Sequence, residues 1–123
     1  MTEPPDSASG GRTPLTWRVE QNAAATIVHI EGEIDIASEP AFVEAVERGL
    51  DTSTELVVVN LTDVAFMGSS GLRTLLQARL QAVDRGRILR IAAGNADIQR
   101  VLDISGLNNV LPVFTTVEHA LAP

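Results

Sequence analysis

A Gly-Ser-Ser-Gly turn, residues 68–71, has the residue types and the position to do chemistry. It stands ahead of a leucine-rich segment, and the free backbone N–H groups at a helix start carry partial positive charge that can hold an anion. Ser69 there has two interpretations. In the first it is an N-cap whose hydroxyl accepts a backbone hydrogen bond worth about 1 kcal/mol. In the second its exposed hydroxyl is a phosphorylation site, where the helix dipole tolerates roughly −1.5 to −2 added charges.

Other chemistries need residues that this sequence lacks or places elsewhere. An esterase elbow needs Gly-x-Ser-x-Gly and a positioned histidine, whereas His29 lies in a predicted strand and His119 near the C-terminus. The sequence has no lysine, which excludes a Walker nucleotide site, and no cysteine, which excludes thiolate chemistry. Asp63, Asp97 and Asp103 show no metal-ligand spacing. We therefore predict that the protein is not an enzyme and has no cofactor or metal site.

The charge and the lengths of the apolar runs argue against nucleic acids and membranes as partners. Sixteen acidic residues against nine arginines give a net charge of −7, and the arginines are scattered from Arg12 to Arg100. Such a chain gains nothing from counterion release on DNA or RNA, so we predict no nucleic-acid binding. The N-terminus lacks signal-peptide features, and the longest apolar run, 56–59, is far shorter than the ~20 residues that cross a bilayer. We predict no membrane association and a cytoplasmic location.

The composition divides the chain into a tail and one domain. Residues 1–14 are rich in Pro, Gly, Ser and Thr, which is typical of a disordered tail. Residues 15–123 form the predicted domain. Apolar residues that alternate with polar ones predict half-buried strands. An unbroken β-branched run predicts that the central strand is buried on both faces. The five predicted strands are 15–19, 26–30 with an end at Gly32, 56–61, 88–93 and 110–114.

Apolar residues at helical spacing predict four helices: 38–50, 72–83, 95–102 and a short one near the C-terminus. Ser38 is the predicted N-cap of the first helix, and Thr115 and Glu118 have the spacing of a capping box for the fourth. Gly86 and Gly106 stand where the second and third helices should stop. The second helix is the clearest, and the apolar residues that mark it are Leu72, Leu75, Leu76, Leu80 and Val83.

The order of these elements predicts an α/β domain with a mainly parallel sheet, in which the first two strands form a hairpin. Right-handed crossovers bring connections of one kind to one sheet edge. The loops that follow the second and third strands should therefore be neighbours. Each runs from the carboxyl end of a strand into a helix N-terminus, where open α/β sheets place their working sites.

Three segments of this chain resemble one known family. Residues 60–72, Asn-Leu-Thr-Asp-Val-Ala-Phe-Met-Gly-Ser-Ser-Gly-Leu, are similar to the signature of bacterial anti-anti-sigma factors, which are STAS domain proteins. Gly-Glu-Ile-Asp at 32–35 is similar to the family's Gly-Glu-Leu-Asp element, and residues 102–107 are similar to its element before the last strand. The resemblance spans almost everything from residue 15 onward. It implies the STAS fold, a mixed sheet of about five strands with four helices.

The resemblance also implies a function and a set of site residues. The unmodified protein would capture an anti-sigma factor with serine-kinase activity and free a sigma factor. Phosphorylation by that kinase would end the capture, and a serine phosphatase would be a further partner. By position, Ser69 would be the phosphoacceptor. The partner-binding residues would be Glu33, Asp35, Gly68, Ser70, Gly71 and Arg73.

One departure from the family pattern concerns Gly68. The family commonly has an acidic residue immediately before the phosphoacceptor serine, and this chain has a glycine. Either phosphorylation is less efficient here, or control comes by another route. An alternative function keeps the fold and changes the partner: the chain would be a scaffold subunit of a stressosome-type signalling assembly without direct sigma control.

Overall fold

Five strands and four helices alternate along residues 14–123, the part of the chain that the computed structural model describes. The predicted α/β class and the mixed five-stranded sheet with four helices are confirmed. The predicted tail lies outside the described residues, apart from Pro14. The elements are β1 Thr16–Gln21, β2 Ala25–Ile34, α1 Glu39–Leu50, β3 Leu56–Met67, α2 Ser69–Asp84, β4 Ile88–Ala92, α3 Ala96–Ile104, β5 Val113–Phe114 and α4 Val117–Leu121.

The sheet order is β1-β2-β3-β4-β5, so every strand lies beside its neighbour in sequence. β1 pairs with β2 in the antiparallel direction, and all other pairs are parallel. The Asn22 side chain closes the β1–β2 turn by accepting hydrogen bonds from two backbone N–H groups. At the far end of β2, Ile34 stands opposite Met67 of β3. The predicted neighbourhood of the loops after these two strands is thus confirmed.

The central strand β3 is buried on both faces, as its β-branched run predicts. Val57, Val59 and Leu61 belong to the large core cluster that includes Phe42 of α1. Val58 belongs to a second, smaller cluster with residues of α4. Because side chains alternate along a strand, the two clusters lie on opposite faces of the sheet.

Several predicted boundaries are wrong, and the causes are local. β2 continues through Gly32 to Ile34, because the pairing with β3 shifts on either side of Gly32 and the glycine adopts φ +111 within the strand. β5 begins only at Val113, because the N–H groups of Val110 and Leu111 still donate to the Leu107 carbonyl oxygen of the preceding 3-10 turn, Leu107–Asn109. The fourth helix is capped by Thr116 and not by Thr115: the Thr116 hydroxyl accepts from the N–H of His119 at 3.1 Å.

The predicted helix 72–83 is confirmed as part of the longer α2, but three of the apolar residues that mark it face outward. The helix ends as expected, with Gly86 at φ +69 just beyond it. Of the apolar residues that predicted it, Leu75 is buried, whereas Leu76, Leu80 and Val83 are exposed. The inward face is built mostly from small residues: Ser70, Gly71, Thr74, Ala78 and Ala82.

Candidate functional site

A groove of about 350 Å³ lies where the carboxyl ends of β2 and β3 meet. The backbone N–H of Gly68 donates to the carbonyl oxygen of Ile34 at 2.9 Å, which fastens the two loops together. The groove therefore combines one side from the β2–α1 loop with one side from the start of α2. Its lining residues are Asp35, Ile36, Ala37, Phe66, Gly68, Ser69 and Ser70.

Ser69 is the first residue of α2, and its side chain is exposed. The N-cap interpretation is wrong, because Gly68 occupies the N-cap position. The first helical hydrogen bonds run from the N–H groups of Gly71 and Leu72 to the Gly68 carbonyl oxygen, so the N–H groups before them are among the free donors of the helix start. Within residues 14–123 the Ser69 hydroxyl itself makes no hydrogen bond, which leaves it open to reagents from solvent.

The two residues after Ser69 lie beneath the surface. Ser70 is 3% exposed, and its Oγ has no hydrogen-bond partner in the described part of the chain. Gly71 is buried against β2 and β3: a Cβ there would lie 2.5 Å from Met67 Cγ and 2.9 Å from Ile34 Cγ2. Both residues thus set the depth of the helix start, while Ser69 carries the accessible hydroxyl.

The β2–α1 loop holds its acidic residues in place through Ser38. Ser38 occupies the N-cap position of α1, as predicted, but its hydroxyl makes no bond to the start of the helix. It instead donates to the carbonyl oxygen of Glu33 and accepts from the N–H of Asp35, both at 2.9 Å. The Ser38 N–H in turn donates to Asp35 Oδ1 at 2.9 Å. Pro40 lies in the first turn of α1, where its missing N–H costs nothing. The loop is therefore a defined surface.

Arg73 stands one turn beyond Ser69 on α2. Its guanidinium Nη2 lies 3.2 Å from Glu39 Oε2 at the start of α1, and the arginine side chain is 60% exposed. This ion pair joins the first turns of the two helices beside the groove. The structure thus brings the predicted residues Asp35, Gly68 and Ser69 to one groove, with Glu33 opposite Phe66 in the strand register and Arg73 at the edge.

Two apolar side chains of the groove were missed from the sequence. Ile36 is 81% exposed and Phe66 is 41% exposed. The available signal was an isolated isoleucine in the polar segment 35–38, where no helix or strand period would bury it. Exposed apolar side chains surrounded by polar groups are typical of surfaces that bind other proteins.

The groove lacks the groups that would activate the serine. His29 lies within the sheet, bonded to Glu20 Oε1 at 2.8 Å and to Asn60 Nδ2 at 2.9 Å, and His119 belongs to α4; neither lines the groove. Over the described range 14–123, no group of three or more potential metal-binding side chains is found. In the same range, no helix has both the length and the apolar character needed to cross a bilayer. The groove thus presents an exposed serine hydroxyl without a histidine beside it.

Comparison with known proteins identifies the family. The STAS domain matches residues 16–120, which is nearly the whole described chain. The chain belongs to the STAS family of anti-sigma factor antagonists. This STAS family is a regulatory family and not an enzyme family. The resemblance found in the sequence is thereby confirmed.

Individual STAS proteins give the degree of similarity. The anti-sigma-F factor antagonist RsfA of Mycobacterium tuberculosis H37Rv is 31% identical over 124 residues, which cover 96% of this chain and 97% of RsfA. The crystal structure of an anti-sigma factor antagonist from Mycobacterium paratuberculosis superposes with a TM-score of 0.80 at 27% identity, covering 87% of this chain and 91% of that one. The Bacillus cell fate determinant SpoIIAA in its phosphorylated form shares the fold, with a TM-score of 0.64 at 17% identity and coverage of 86% and 96%.

Proposed function

We propose that this protein binds an anti-sigma factor with serine-kinase activity, releases the sigma factor that the kinase held, and is switched off by phosphorylation of Ser69. The observation that carries the proposal is the exposed, unbonded Ser69 hydroxyl at the start of α2, in a groove shared with Asp35. Exposed Ile36 and Phe66 supply apolar contact area beside it. The protein acts by binding, without catalysis of its own, and does so in the cytoplasm, where sigma factors work.

The magnitude of the switch follows from the charge of a phosphate. A phosphoserine carries roughly −1.5 to −2 charges at neutral pH. Leaving a charged group unpaired in a closed protein interface costs about 3 to 5 kcal/mol, which corresponds to two to four orders of magnitude in affinity. Asp35 lines the same groove, so the phosphate also meets a like charge from the protein itself. Phosphorylation therefore converts a tight complex into a weak one.

Phosphorylation of Ser69 should not destabilise the fold. The Ser69 hydroxyl holds no hydrogen bond within the described residues, so its loss as a donor breaks nothing. A negative group at a helix N-terminus is favoured by the helix dipole by about 0.3 to 1 kcal/mol. Arg73 lies four residues further on the same face, at the spacing for an i,i+4 pair with a phosphate on Ser69. The change is confined to the docking surface, and a serine phosphatase acting on exposed Ser69 resets it.

The remaining site residues take supporting roles in this proposal. Glu33 at the end of β2 and Asp35 in the loop that Ser38 holds contact the partner. Gly68 lets the partner's backbone come close, and buried Ser70 and Gly71 fix the height of the helix start.

The experiment compares four proteins for binding to the anti-sigma factor kinase of the same organism: wild type, Ser69→Ala, Ser69→Glu and Ser70→Ala. We expect Ser69→Ala to bind like wild type and to resist phosphorylation by the kinase with ATP, read by mass spectrometry. Ser69→Glu should bind at least about tenfold more weakly, since it adds one charge at the contact. Ser70→Ala is the matched control, because the neighbouring hydroxyl is buried and should remain unphosphorylated. Equal affinities of Ser69→Ala and Ser69→Glu would refute the switch.

A further inference from the structure

The outer face of α2 carries an apolar ridge that the fold does not use. Leu76, Leu80 and Val83 are 46%, 57% and 62% exposed. The inner face of the same helix is built mostly from small residues, so the usual arrangement of an amphipathic helix is reversed. We use the name α2 ridge for Leu76, Leu80 and Val83.

The core has no room for these three side chains. At the start of the helix, even a methyl group on Gly71 would come within 2.5 Å of Met67 Cγ. Further along, Ala78 and Ala82 are each 2% exposed, so the inner face of the helix is already covered there. The small inner face lets α2 pack closely, and Leu75 completes the core. The leucines of the ridge therefore contribute little to the packing of this domain.

The α2 ridge is continuous with the groove around Ser69. At 100° per residue, Leu76 lies two turns after Ser69 on nearly the same line, and Leu80 and Val83 stay within about 40° of that line. With a rise of about 1.5 Å per residue, the distance along the helix from Ser69 to Val83 is about 21 Å. A partner that docks on the Ser69 groove and extends along α2 would meet the ridge next.

We infer that the α2 ridge is the second half of the docking surface for the anti-sigma factor, and that the partner covers it with an apolar groove that accepts one helix. The inference rests on the proposed function, since it extends the same site. A partner that uses both halves gains affinity from the ridge and responds to phosphorylation at the groove.

The small size of the ridge favours the anti-sigma factor over a second copy of the chain as the molecule that covers it. A strip about 21 Å long and about 10 Å wide presents roughly 200 Å². A stable interface buries about 800 Å² on each partner, so the ridge alone is too small to hold two copies together. Joined to the Ser69 groove, it enlarges a surface that already has exposed Ile36 and Phe66.

The net charge of the chain also argues against a second copy on the ridge. The chain carries a net charge of −7, which opposes self-association. Arg79 flanks the ridge, donates through Nε to the carbonyl oxygen of Val110 at 2.8 Å, and has no carboxylate partner among residues 14–123. A partner that places one carboxylate against Arg79 and is not itself strongly acidic would therefore fit the ridge better than a second copy of this acidic chain does.

The test uses Leu76→Gln and Leu80→Gln together in one variant, with Ile104→Gln as the matched control. Ile104 is 78% exposed at the end of α3 and is not part of the ridge. We expect the double variant to keep the wild-type melting temperature and to bind the anti-sigma factor at least about tenfold more weakly, as loss of central apolar contacts does. The control should bind within about twofold of wild type.

The outcomes separate this inference from the proposed function. If the double variant binds like wild type while Ser69→Glu loses affinity, the ridge is outside the interface and only this inference is overturned. If the double variant is weakened while Ser69→Glu and Ser69→Ala bind equally, the ridge stands and the switch falls. If the anti-sigma factor does not bind at all, both fall. Analytical ultracentrifugation tests for self-association. If the wild type is a dimer, the double variant is a monomer and both bind the anti-sigma factor equally, the ridge binds a second copy of the chain.

Discussion

Replacing Gly68 by aspartate should stabilise the protein. Gly68 is the N-cap of α2, with φ −90 and ψ −171, an extended conformation that any residue adopts. A Cβ there would lie 3.6 Å from the nearest atom of the Phe66 ring and 3.8 Å from the Ile34 carbonyl oxygen, which are ordinary contacts. The aspartate carboxylate could accept from the free N–H groups of the first turn of α2, which has no acidic residue of its own.

The magnitude comes from three terms of known sign. Aspartate exceeds glycine as an N-cap by a few tenths of a kcal/mol, and a negative charge at a helix start adds about 0.3 to 1 kcal/mol. Restricting the unfolded chain adds about 0.4 kcal/mol or more. Repulsion from Asp35, which lines the same groove, offsets part of this gain. We expect a net increase of roughly 0.5 to 1 kcal/mol in the free energy of unfolding, or about 2 to 5 °C in Tm.

Urea unfolding of Gly68→Asp, Gly68→Asn and Gly68→Ala separates these terms. Asparagine keeps the capping oxygen without the charge, and alanine keeps only the restriction of the unfolded chain. The expected order of stability is Asp above Asn above Ala, with Ala no better than glycine because alanine is a poor N-cap. Equal stability of the Asp and Ala variants would show that α2 does not use a cap at this position. The rate of Ser69 phosphorylation in the Asp and Asn variants then measures what the carboxylate contributes to the kinase reaction.

Three further substitutions test the frame that holds the site. Gly71→Ala should lower the free energy of unfolding by about 1 to 2 kcal/mol, because the new methyl group overlaps Met67 by more than helix propensity repays; urea unfolding measures it. Arg90→Gln removes donors to two carbonyl oxygens at the end of α4, and should cost about 1 to 2 kcal/mol and speed amide exchange in α4; unchanged exchange would contradict it. Asn60→Ala orphans a backbone N–H of β3 and should cost about 1 to 3 kcal/mol by thermal unfolding, whereas a neutral result would mean that water replaces the amide.

The order of elements and the position of the groove could be predicted from the sequence because both depend on strong local signals. The β-branched run that begins at Leu56 can be stable only as a buried strand. Once β2 and β3 are parallel neighbours, their carboxyl ends must lie at one edge, and the loops with Asp35 and Ser69 come together. This step needs no knowledge of side-chain contacts.

The orientation of α2 could not be predicted in this way. Helical spacing shows that Leu76, Leu80 and Val83 share a face, but not that the face is turned inward. The deciding fact is the small separation between α2 and the end of β3, which Gly71 and Met67 determine. That separation is a tertiary property, and it makes the small residues the inner face.

The side-chain capping bonds predicted for Ser38 and Ser69 are both absent, for a related reason. Ser38 and Ser69 both stand within one residue of a helix start, and a hydroxyl at such a position has several acceptable partners. Ser38 bonds to its own loop because Asp35 and the Glu33 carbonyl oxygen are three and five residues behind it. Ser69 is one position past the N-cap and has no partner in the described chain. Sequence spacing does not distinguish these outcomes, since each costs or gains only about 1 kcal/mol.

At the sheet edge where the loops after β2 and β3 meet, the bonds that stabilise the fold do not involve the Ser69 hydroxyl. The two loops are joined by the backbone bond from Gly68 to Ile34 and by the hydroxyl of Ser38, none of which a kinase on Ser69 would alter. The exposed hydroxyl of Ser69 makes no hydrogen bond within the described residues, so its modification breaks no contact of the fold. Arg73 is positioned to pair with a new charge on Ser69, because it lies four residues further along α2 and its pair with Glu39 is exposed and worth at most about 1 kcal/mol. Under the proposed phosphorylation of Ser69, a phosphate one turn away would draw the guanidinium from Glu39 at little cost, so the proposed docking surface would rearrange while the sheet and helices beneath it keep their contacts.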